Sequence, residues 1–113
     1  VAHVACGRRH TLVLSSDGLF LFGQRVRSRR AFHLRPVRVQ LPTDAVVRSV
    51  ACGRDHNLVL CGASEVYSFG DGSYGQLGHG DLQGCSNPSL VRQLLDQPVA
   101  LVAAGGGASL VIL

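Results

Sequence analysis

Two stretches of the chain carry the same order of apolar and polar positions. Val4–Leu14 (VACGRRHTLVL) and Val50–Leu60 (VACGRDHNLVL) agree at nine of eleven positions, and each ends in a short apolar run, Leu12-Val13-Leu14 or Leu58-Val59-Leu60. A turn signal follows each run, Ser15-Ser16-Asp17-Gly18 or Cys61-Gly62-Ala63-Ser64. A second β-rich run comes next, Leu19–Phe22 or Glu65–Phe69, closed in both cases by Phe-Gly, at Phe22-Gly23 and Phe69-Gly70. Apolar runs joined by Asp-Gly or glycine-containing turns predict β-hairpins, because glycine takes positive φ at little steric cost. Further strands are predicted after the prolines, near Val37–Leu41 and Leu90–Leu94, and before the next glycine, near Val46–Ala51 and Val99–Ala104.

The pattern is therefore a repeat. A fainter third copy is VAAGGGASLVI, Val102–Ile112. Gly7 and Gly53 lie 46 residues apart, and Gly53 and Gly105 lie 52 apart, spacings that mark solenoids or propellers. Pro36 to Gly53 and Pro88 to Gly105 both span 17 residues, which supports equivalent strand pairs in the two units. Four strands per unit is the content of a propeller blade. The units are placed at about residues 4–49 and 50–101, with the start of a third at 102–113.

CGRDHNLVL, VYSFGDGSYGQLGHGD and NPSLV, in that order, resemble the repeat of the regulator of chromosome condensation family. The resemblance covers nearly the whole chain and marks Gly7, His10, Gly23, Gly53, His56, Gly70, Gly75 and Gly78 as structural repeat positions. It implies an all-β fold, about two four-stranded antiparallel blades of a propeller that in the family has seven. At 113 residues the chain holds too few blades to close a ring, so it reads as a piece of a longer protein.

Candidate chemistry changes this picture little. Cys6-x3-His10 and Cys52-x3-His56 together offer a tetrahedral zinc ligand set, but they recur because the unit recurs. The third copy has Ala104 and Ala108 at those places, so no metal is expected. His10 and His56 are expected to bond backbone groups at blade corners, and the four cysteines to be small, reduced, buried side chains. Gly70-Asp71-Gly72-Ser73-Tyr74-Gly75 fits GxGxxG, yet the helix that a dinucleotide turn needs cannot follow, because Gly78, Gly80, Gly84 and Pro88 interrupt it. Those glycines are instead expected to shape a tight connecting loop, with Tyr74 and Leu77 turned inward. A Walker A loop is excluded by the absence of lysine, and no GxSxG elbow is present. No cofactor and no catalytic residues are expected.

Charge is local. Arg25, Arg27, Arg29, Arg30, Arg35 and Arg38 are six of the eleven basic residues, on a segment without Asp or Glu, while the rest of the chain has five Arg against seven acids. The interval from Gly23 to Pro36 is 13 residues where Gly70 to Pro88 is 18, so this connection is shortened and rewritten. Such a patch suits an acidic protein surface or nucleic-acid phosphates. With Phe32 its single aromatic residue, nucleic acid is the less favoured of the two, and a plain solvated loop is the simplest reading of all.

No basic segment leads into an apolar one at the start of the chain, and no apolar run approaches the ~18 residues of a membrane span. The chain therefore reads as intracellular, cytoplasmic or nuclear, with no membrane span. The resemblance implies two functions. One is a protein–protein interaction scaffold within a larger regulatory protein. The other is guanine-nucleotide exchange on a small GTPase, which in the founding member accompanies nucleosome binding and needs the face of a whole ring.

Overall fold

The computed structural model of the chain describes residues 3–24, 32–70, 78, 85–92 and 98–112. Apart from a 3-10 position at Arg92, the regular structure among the described residues is β. The strands are β1 (His3–Cys6), β2 (His10–Ser15), β3 (Gly18–Gln24), β4 (Phe32–Arg38), β5 (Val47–Cys52), β6 (His56–Cys61), β7 (Glu65–Gly70), β8 (Cys85–Leu90), β9 (Leu101–Gly105) and β10 (Ala108–Ile112). They form two four-stranded antiparallel sheets in sequence order, β1 to β4 and β5 to β8, followed by the β9–β10 hairpin. These are propeller blades.

The predicted hairpins appear where the turns placed them. Ser15 pairs with Gly18 across a two-residue turn, and Cys61 pairs with Glu65 across three residues. Gly18 and Gly62 sit at φ 135° and 56°, where a side chain would strain the backbone. The outer strands differ from expectation. β4 and β8 contain Pro36 and Pro88 and end at Arg38 and Leu90, instead of starting after the prolines. Proline cannot donate to a sheet, and both strands lie at a sheet edge, where a strand needs donors on one side only. The second sheet begins at Val47, three residues before the repeat as read from the sequence.

The core lies between blades. Period-2 alternation turns Leu12, Leu14 and Leu19 of the first blade toward Val59, Cys61, Tyr67 and Phe69 of the second. The other face of the second blade presents Leu58, Leu60 and Val66 to Val91, Val99 and Val102. At about 1.5–3 kcal/mol for each fully buried large apolar side chain, these two layers dominate the stabilising side of folding. The inner strands β1, β5 and β9 neighbour one another, so the turns that follow them stand side by side.

Candidate functional site

The repeated turn between the first and second strands of each blade is where the polar residues gather. Gly7 N–H donates to the His10 carbonyl at 2.9 Å, and Gly53 N–H donates to that of His56 at 3.0 Å, closing the same turn twice. Successive turns are then tied together: Arg8 N–H donates to the Arg54 carbonyl, and Arg54 N–H to the Gly106 carbonyl, each at 2.9 Å. Arg8 also reaches Asp55, with Nη2 to Oδ1 at 3.6 Å.

The histidines join blades. His10 shares a face of β2 with Leu12 and Leu14, so its ring points at the second blade, where Nε2 lies 2.9 Å from Asn57 Oδ1. Because an amide oxygen only accepts, His10 must donate from Nε2. Asn57 is itself held from its own blade, its Nδ2 donating to the Phe69 carbonyl at 3.5 Å and its Oδ1 accepting from Cys52 Sγ at 3.2 Å. One blade on, His56 Nε2 lies 2.9 Å from Ser109 Oγ. The expectation of backbone partners for these imidazoles is thus corrected. A side chain of the following blade is in reach because the residue after each histidine position, Thr11, Asn57 or Ser109, is polar and short in all three copies. That regularity was the signal in the sequence for the role of Asn57 and Ser109, and it was missed.

Burial of the His10 ring lowers its pKa below the usual histidine value, against the opposing pull of the Asn57 bond and the Asp55 carboxylate. Each histidine ring also folds back over the glycine of its own turn. A methyl group on Gly7 would overlap the His10 ring, and one on Gly53 would overlap that of His56, whereas Gly105, whose copy has no histidine, has nothing within 4 Å of that position. Gly23 has φ 102° and lies against the Arg9 carbonyl, Gly70 has φ 115°, and Gly78 has φ 74° beside Val91. Gly75, Tyr74 and Leu77 lie outside the described residues.

The cysteines do not behave as one class. Cys61 is buried, Cys52 half-buried and Cys6 exposed, and none of these three is in a disulfide. Burial pushes the Cys61 thiol up to about 11 and that of Cys52 up to about 12. Among the described residues no group of three or more His, Cys, Asp or Glu is placed to hold a metal ion.

Arg25, Arg27, Arg29 and Arg30 lie outside the described residues. Arg35 is within β4, and Arg38 ends that strand beside Gly18, at the turn between β2 and β3 and so at the opposite end of the blade from Gln24 and Phe32. Arg38 is thereby separated from the loop with which the sequence grouped it.

At that opposite end, Arg48 acts as a tie that the sequence did not single out. Its Nη1 donates to the Gly62 carbonyl at 2.8 Å and to the Val99 carbonyl at 3.2 Å, while Val99 N–H donates to the Ala63 carbonyl at 2.8 Å. The connection into the second blade is held by Thr43, whose hydroxyl is 3.4 Å from both Glu65 carboxylate oxygens and accepts from Ala45 N–H at 3.1 Å. Tyr67 donates to the same carboxylate at 3.2 Å.

Comparison with known proteins agrees with this architecture. The regulator of chromosome condensation (RCC1) repeat pattern matches residues 64–112 and, in a second form, residues 47–76. The probable E3 ubiquitin-protein ligase HERC6 of Homo sapiens is 33% identical over 114 residues, covering 94% of this chain and 11% of HERC6. The crystal structure of human WBSCR16 superposes with a TM-score of 0.85 at 36% identity, over 96% of this chain and 30% of that one. Prp20p from Saccharomyces cerevisiae, whose structure was described together with its binding properties to Gsp1p and histones, superposes with a TM-score of 0.81 at 25% identity, over 99% of this chain and 31% of its own. The chain thus spans about a tenth of the curated relative and under a third of each solved propeller. Its paired sheets, its repeated turns and these matches make it a member of the regulator of chromosome condensation (RCC1) repeat family.

Proposed function

We propose that the chain is part of an RCC1-type propeller that works as a non-catalytic protein-interaction scaffold, regulatory within a larger intracellular protein. The observation that carries this reading is where the polar residues of the repeat are used. His10, Asn57, His56, Ser109 and Arg48 all make bonds that hold blades or their connections together. What remains for recognition is the set of turns and connections at the two ends of the blades, the positions at which scaffolds commonly bind. The small share of HERC6 that the chain matches fits a module inside a larger protein. The test is affinity capture with the parent protein, in parallel with a variant in which the turns and connections, but not His10 or Asn57, are changed. A scaffold loses partners at an unchanged melting temperature; a parent that captures none removes the reading.

A second reading, guanine-nucleotide exchange on a small GTPase, is favoured by the likeness to Prp20p and its binding properties to Gsp1p. An exchange factor binds the nucleotide-free GTPase more tightly than the loaded one, so bound nucleotide leaves faster. Release of fluorescent GDP from a panel of small GTPases, with the parent protein added and this chain as control, decides it. Acceleration by the parent alone is the outcome that this reading requires. The arginines at 25, 27, 29 and 30 belong to the same proposal as a surface for an acidic partner, and charge reversal at Arg29 and Arg30 should weaken such binding in a salt-dependent way while leaving folding intact.

A further inference from the structure

We draw no further inference here: the strongest candidate, the surface patch of Arg8, Arg9 and Arg54 on adjacent turns at the histidine end of the blades, is a set of exposed side chains of which Arg8 is paired with Asp55, and nothing in the structure shows what covers it.

Discussion

His10 of the first blade and Asn57 of the second meet at 2.9 Å across the junction between the two blades, and both residues are buried. The bond fixes how one blade sits against the next, because Asn57 is also held by its own sheet at the Phe69 carbonyl. Removing either partner leaves a buried polar group unmatched. His10→Ala and Asn57→Ala are each expected to cost about 1–3 kcal/mol in denaturant unfolding. The double variant should cost less than the sum of the two, by about 0.5–3 kcal/mol, if the contact is the source of the loss. Strict additivity would show that the two act independently.

The same histidine sets a pH dependence. Its folded-state pKa is lowered from the ordinary 6.5, chiefly by burial, so the unfolded chain takes up the proton first as pH falls. Stability from this site is therefore complete above about pH 6.5 and is lost progressively below it, through the lowered folded value. Unfolding midpoints measured from pH 7.5 down to 5 should fall, and His10→Gln should flatten the curve. An unchanged slope would show that His10 does not carry the effect.

Equivalent glycines should differ in their tolerance of a methyl group. Gly7→Ala and Gly53→Ala force a histidine ring away from its partner, an overpacking cost of about 1–3 kcal/mol. Gly105→Ala meets nothing within 4 Å and should be close to neutral. Thermal unfolding of the three single variants makes the comparison. Equal losses at all three would mean that the backbone, and not the ring, demands glycine.

Arg48 is exposed, so its two carbonyl bonds are worth less than buried ones, and Arg48→Met should cost about 1 kcal/mol or less. Its more telling effect is local. Amide hydrogen exchange at Val99 should speed up in the variant, since the bond from Val99 to Ala63 lies beside the tie. Unaltered exchange there would show that the junction stays closed without the guanidinium.

Thiol reactivity should follow exposure. Cys6 is exposed, while the thiols of Cys52 and Cys61 are held almost wholly protonated near neutral pH by pKa values of about 12 and 11. Brief treatment with iodoacetamide at pH 8, followed by peptide mass spectrometry, should label Cys6 well ahead of those two. Labelling of Cys52 at a similar rate would mean that the junction between the first two blades opens.

Much of this molecule was written along the chain. The duplicated VACGR-x-H-x-LVL, the turn residues and the closing Phe-Gly placed the hairpins, because hairpin geometry depends on nearby residues and on which of them tolerate positive φ. The spacing of the copies gave the four-stranded unit for the same local reason. What the chain order could not supply is which groups meet between units. The identical Leu-Val-Leu triplets show it. In both, the leucine face turns toward the following unit, Leu12 and Leu14 toward the second blade and Leu58 and Leu60 toward Val91, Val99 and Val102, while Val59 packs back on the first blade, a choice of neighbours that the triplets alone do not state. In the same way, a ring read as bonding backbone in its own corner meets Asn57, 47 residues away, and Arg48 reaches the Val99 carbonyl, 51 residues away. Contacts between blades depend on the twist and stacking of whole sheets, and only the assembled tertiary structure sets these.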